Sequence, residues 1–293
     1  MIGRIAQLAT MLSLGYIGQV MADVRHYQAS LDDSKWVNQQ NARLSCRLEH
    51  SIPRYGKVVF SSVASRATNM TVNLDMLRTP HGYDIAKVLS VPPSHRPGTP
   101  SREIIDMQLL QQFDGELIDK PAWTMLSELE KGMSPTFYYK DWYSDFDHIT
   151  VGINAANFHQ AYESFLTCVD NLLPFNFDDI SLTVLTYQSN KAELTKNSKK
   201  RLAMIAEYLK QDAELDLVLL DGFSDSYGGR WHNEQLAKQR AENIRSFFTD
   251  AGVDASRIEV DSYGERRHIA TNQNVLGRAK NRRVVIRMER AVQ

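Results

Sequence analysis

The sequence predicts an α+β protein in two parts: a β-rich first half, then a half in which strands and helices alternate. Two patterns carry that expectation. Between residues 42 and 153, short runs with β-branched or alternating apolar positions are separated by Pro and Gly. After Pro174 the composition changes, and strand-like and helix-like segments take turns to the end of the chain. A length of 293 residues also suits two cores better than one, because single cores stop growing near about 250 residues.

The elements follow in order. Residues 1–22 look like an export signal: Arg4 gives a positive start, residues 5–17 are mostly apolar and uncharged, and Val20 and Ala22 offer a cleavage site before Asp23. Gln7, Gly15, Gly18 and Gln19 interrupt the stretch, and a spanning helix needs about 20 mostly apolar residues. Cleavage is therefore expected, leaving no membrane span in the mature chain. No cysteine ends the segment, which argues against a lipid anchor. Residues 58–60 and 70–74 read as strands, with loops at 80–82 and 92–100. Further extended segments are expected at 104–113, 135–142 and 147–153. Residues 154–173 read as a helix, since Phe158, Ala161, Tyr162, Phe165 and Val169 fall at three- and four-residue spacings before Pro174 closes it.

The second half reads as strand 182–187, helix 194–210, strand 215–220, helix 233–249 and strands 258–263 and 283–288. Leu202, Ile205, Ala206 and Leu209 share one face of the first of these helices; Leu236, Ala237, Ile244 and Phe248 share one face of the second. This alternation predicts a sheet covered by helices on one face. The expected divisions are a signal at 1–22, a β-rich domain at 23–177 and a second domain at 178–293.

Composition excludes several classes. Hydrophobic residues make up 43% and charged residues 24%, as in ordinary globular chains. A net charge of −1 argues against a nucleic-acid partner, and the basic run Arg278, Lys280, Arg282, Arg283 is too short to reverse that. The eight His residues are scattered with no His-x-x-x-His, so no metal and no cofactor is expected. An exported protein with two cysteines suggests a Cys46–Cys168 disulfide, against the alternative of two buried free thiols.

The informative stretch runs from Asp221 to Gly229, DGFSDSYGG. A buried strand delivers Ser224 and Asp225 into a Gly-rich turn. On the following helix Asn233 and Arg240 are seven residues apart, almost in line on one face. An acceptor carboxylate, a bidentate guanidinium and an amide that both donates and accepts suit a zwitterion, an ammonium and a carboxylate on one carbon. An Asp225–Arg240 ion pair that merely fixes the turn is the competing reading.

The run from Gly222 to Ala241, with Tyr263-Gly264-Glu265, Asn272, Gly277-Arg278 and Asn281-Arg282-Arg283-Val284, closely resembles the OmpA-like peptidoglycan-binding family across residues 182–288. The resemblance implies a C-terminal OmpA-like α/β sandwich that binds the diaminopimelate stem peptide of peptidoglycan without cutting it. Asp225 and Arg240 occupy the family's ligand positions, supported by Asn233 and Ser224. Departures are Ser224 for the usual Thr, Phe223 for a common His, Ala237 for Ser and His268 for a frequent Pro; none removes a charged group. Asn281 to Arg283 either touches the peptide or forms a structural ion-pair network, the latter being favoured.

The whole layout, an export signal, a β-rich half with two cysteines and a terminal OmpA-like domain, resembles the MotY family of sodium-driven polar flagellar motors. That implies a Gram-negative periplasmic location on the basal body and cell wall, with MotX and the sodium-driven stator as partners. The aromatic run Phe137, Tyr138, Tyr139, Trp142, Tyr143 is the candidate partner surface, although core packing of alternate members is the favoured reading. Two other classes remain: a generic OmpA-type periplasmic anchor, and a peptidoglycan-acting enzyme using Cys46 or Cys168 beside His50 or His159.

Overall fold

A computed structural model describes residues 24–41, 43–143, 147–188, 193–212 and 215–290; the expected export signal lies outside them. The first half holds two five-stranded sheets. One contains β1 (Val24–Gln28), β10 (His148–Gly152), β9 (Ser134–Lys140), β6 (Asp84–Val91) and β7 (Arg102–Leu109), in that spatial order. The other runs β2 (Trp36–Asn41), β3 (Ser45–Ile52), β4 (Gly56–Val63), β5 (Thr71–Met76) and β8 (Gly115–Ile118). Alternate residues such as Leu48, Val58, Phe60 and Leu74 from one sheet share a core with Val88, Met107, Phe137 and Val151 from the other. The period of two read in the sequence places one side chain in two against that core.

Helices α1 (Lys120–Glu130) and α2 (Phe158–Asp170) complete this half. α1 falls in a stretch assigned to no element by the sequence reading. Pro121 sits in its first turn, and Ala122, Met125, Leu126 and Leu129 are buried at helical spacing. α2 packs on β2 and β3, and a disulfide joins its Cys168 to Cys46 of β3, with Cα atoms 6.0 Å apart.

The second half is a four-stranded sheet in the order β11 (Leu182–Thr186), β14 (Arg283–Arg290), β12 (Leu215–Phe223), β13 (Ile258–Gly264). β12 runs parallel to β13 and antiparallel to β14. Helices α3 (Lys196–Gln211) and α4 (Arg230–Asp250) pack against it, and the short α5 (Val275–Asn281) precedes β14. Val284, Ile286 and Met288 of β14 are buried while Arg287 and Glu289 are exposed, the mark of a sheet covered on one face. The fold is α+β with a helix-covered sheet in the second half. β12 extends to Phe223 and α4 starts at Arg230, so strand and helix come closer in sequence than the pattern suggested.

The halves touch. Leu173 donates its N–H to Arg43 O and accepts from Ser65 N, continuing sheet-like pairing beyond α2. Ala64, Leu173 and Phe175 belong to the core of the second half, flanked by ion pairs Arg66–Asp179 at 2.7 Å and Arg43–Glu207 at 2.8 Å. Among the described residues no helix is long and apolar enough to cross a membrane, which says nothing of β-barrels.

Candidate functional site

Close contact between β12 and α4 builds the site. A Cβ on Gly222 would lie 2.3 Å from the carbonyl oxygen of Ala237, so only glycine lets the strand lie against the helix backbone here. Beyond Gly222 the register against β13 shifts, but pairing continues to its end, with Ser224 N donating to Gly264 O at 2.7 Å. The turn then passes through Gly228, whose φ of 108° is costly for any other residue, and enters α4 at Gly229.

All four expected residues are buried: Ser224 and Asn233 at 2% exposure, Asp225 at 7% and Arg240 at 0%. Asp225 does not take Arg240 as its close ion-pair partner. Its Oδ2 accepts from Arg282 Nη1 at 2.7 Å, and its Oδ1 accepts from Tyr227 N at 3.1 Å. Arg282, which the sequence reading placed in a structural run, thus stands beside the carboxylate. Strand pairing explains it: Phe223 of β12 lies opposite Arg283 of β14, so the residue before Arg283 meets the residues after Phe223. The Arg240 guanidinium lies over the Tyr187 ring at 4.8 Å, and Tyr187 Oη donates to Arg240 O at 3.2 Å. Burial, helped by the Arg282 cation and opposed by Tyr187 and Asp225, depresses the Arg240 pKa to about 10. The group stays a cation at neutral pH. Asn233 donates Nδ2–H to Glu265 Oε2 at 3.2 Å, and Ser224 Oγ is buried with no hydrogen-bond partner among the described residues.

Two supports hold the turn. Asn281 is fully buried, accepting from Ile269 N and Ala270 N at 3.0 Å each and donating to Asn272 Oδ1 at 2.8 Å. Asn272 Oδ1 in turn accepts from Ser226 N at 3.4 Å. On the other side, Arg283 lies over Phe223 at 3.8 Å, Phe223 stacks on Tyr263 at 5.2 Å, and Arg267 lies over Tyr263 at 4.2 Å. Phe223, an oddity of the sequence, is thus the inner layer of a four-membered cation–aromatic stack. The Arg240 and Arg282 guanidinium groups, the Asp225 carboxylate, Asn233 with its Glu265 partner and the Ser224 hydroxyl thus supply buried charged and polar groups of both signs around the turn. Among the described residues no three His, Cys, Asp or Glu side chains cluster, and both cysteines are consumed in the disulfide.

Comparison with known proteins finds a separate family model for each half. Residues 27–174 match the MotY N-terminal domain model, and residues 186–282 match the OmpA family model. The sodium-type flagellar protein MotY of Vibrio parahaemolyticus is 40% identical over 280 residues, 96% of each chain. The outer-membrane lipoprotein YfiB of Pseudomonas aeruginosa is 36% identical over 100 residues, 34% of this chain and 59% of its own. The peptidoglycan-associated lipoprotein of Burkholderia pseudomallei is 24% identical in its crystal structure, covering 36% of this chain and 89% of that one at a TM-score of 0.34, too distant to bear on the site.

Proposed function

Because the chain belongs to the family of the sodium-type flagellar protein MotY, we propose that it is a non-enzymatic periplasmic component of a sodium-driven polar flagellar motor, fixed to the cell wall. Residues 178–293 form the wall-binding domain, and residues 23–177 dock to the basal body. MotX and the sodium-driven stator are the neighbours, and the assembled ring carries stator reaction torque into peptidoglycan.

The observation that carries the wall-binding half is the buried Asp225–Arg282 pair with Arg240 in the same electrostatic neighbourhood. The ammonium of a diaminopimelate stem peptide meets Asp225, whose two oxygens retain acceptor capacity beyond Arg282 and Tyr227 N. Its carboxylate meets Arg240 in a bidentate pair, with Asn233 and Ser224 completing the shell. Since Arg240 is fully buried, a ligand reaches it only after the groups above it shift. A generic wall anchor fits the second half equally well, but leaves the match over residues 27–174 without a role.

In a bacterium with a sodium-driven polar flagellum, deleting this gene should abolish swimming, and the wild-type chain should restore it. Asp225→Ala and Arg240→Ala chains, exported at wild-type levels, should restore it poorly. Full rescue by both variants would detach motor function from this site.

A further inference from the structure

The first half carries a cavity of about 380 Å³ that wall binding leaves unused. It lies where the hairpin between β3 and β4, the segment after β5 and the segment after β9 come together. Its inner wall is aromatic. Tyr55 and Tyr139 are buried and share a hydroxyl hydrogen bond of 2.8 Å, and Trp142 stacks on Tyr139 with ring centres 5.1 Å apart. The aromatic run singled out in the sequence therefore divides: Phe137 fills the core, Tyr139 lies between core and cavity, and Trp142 and Tyr143 line the cavity.

Its charges are unbalanced. Asp141, the one acid among the described lining residues, is taken by Arg25 at 2.9 Å. Arg54 and Arg78 also line the cavity, both exposed, and neither has an acidic partner among the described residues. Arg78 lies 6.0 Å from the Tyr143 ring. The Trp142 indole N–H is buried without an acceptor among the described residues, and an unmet buried donor is costly. A site rich in cationic and neutral donors, walled by aromatics, is complementary to a carboxylate next to an apolar group. Its size admits one or two side chains, and exposed Leu77 and Tyr143 (74% and 58%) carry the apolar surface outward along an extended ligand.

From these features we infer that the cavity docks an acidic peptide segment of a protein partner, with a carboxylate between Arg54 and Arg78 and an aromatic or aliphatic side chain against Trp142. The inference rests on the reading of the first half as the docking module, and it gives that module a contact point. Charge reversal at both exposed arginines should leave the fold intact.

The test uses the full mature chain and a fluorescein-labelled hexapeptide alternating Asp with Phe and Leu, with a matched peptide carrying Asn for Asp. Anisotropy should report saturable binding of the acidic peptide, weakened at least tenfold by Asn, by the Arg54→Glu/Arg78→Glu double variant, and by raising salt. The same variant should keep its thermal midpoint and its sacculus binding. Equal affinity for both peptides, or for both proteins, overturns the site. Preferential binding of phosphatidylglycerol vesicles overturns the peptide assignment. Localisation of the variant in cells is a separate reading: peptide binding lost with flagellar localisation kept would leave the docking module standing and remove this cavity as its contact.

Discussion

Arg240, Arg282 and Asp225 place two guanidinium groups and one carboxylate where water barely reaches. Such a cluster holds only while each member is compensated, because an uncompensated buried charge costs several kcal/mol. Asp225→Ala strips Arg282 of its close partner, so the second half should lose about 3 kcal/mol of stability, read as a lowered denaturant midpoint. Asp225→Asn, which keeps the shape and an acceptor, should lose less. His50 gives a residue-scale test in the first half. It is fully buried, stacks on Trp36 at 4.5 Å, and donates Nδ1–H to Lys35 O at 3.1 Å, while Nε2 has no partner among the described residues. Burial lowers its pKa to about 4, only partly offset by the Lys35 bond. The folded value lies below that of an unfolded histidine near 6.5, so the unfolded chain binds the extra proton first. Stability from this group is complete above about pH 6.5 and falls as the pH drops toward 4, by roughly 3 kcal/mol. Thermal melts at pH 7 and pH 4.5 should show this loss, and His50→Phe should flatten it; an equal loss in that variant would assign the acid sensitivity elsewhere.

At the scale of elements, the site depends on how closely β12 and α4 approach. Gly222→Ala forces a Cβ into the Ala237 carbonyl and should cost about 1–3 kcal/mol while weakening sacculus binding, since α4 carries Asn233 and Arg240. The Cys46–Cys168 bridge spans 122 residues, a loop whose closure is worth about 5 kcal/mol in the chain-entropy account. Unreduced peptide mapping of periplasmic protein should recover the linked pair, and two alkylatable thiols in native material would contradict it. What the sequence disclosed follows from what each element buries. β12, α3 and β14 carry clear apolar patterning and were legible; α4 has a weaker pattern, because Asn233 and Arg240 share its buried face with Ala237, Ile244 and Phe248. β1 and β2 are edge strands with polar sequences, VRHYQ and WVNQQN, so alternation is weak there. α1 was readable in principle from Ala122, Met125, Leu126 and Leu129, but the short α5, with Gly277 inside it, has too little pattern to declare itself. The sequence reading favoured an ion-pair role for the run that holds Arg282, but its partner Asp225 could not be named, because their meeting comes from strand pairing between segments 57 residues apart, which no local spacing reveals.

For the molecule as a whole, the join between halves has a consequence for any dissection. Leu173 and Phe175 are buried in the second core, so a fragment beginning at residue 172 should melt higher than one beginning at 178. Equal midpoints would show that these side chains add nothing to that core. A first-half fragment, once shown to be folded and exported, should associate with the basal body and MotX yet support poor swimming, since nothing then braces the ring. The account stands or falls on whether the Asp225–Arg240 region holds the wall. The direct measurement is co-sedimentation of the mature chain with purified sacculi, alongside Asp225→Ala and Arg240→Ala, each verified as folded at the assay temperature. The wild-type chain should pellet with sacculi, and both variants should remain largely in the supernatant. Undiminished pelleting of both variants would contradict the central claim.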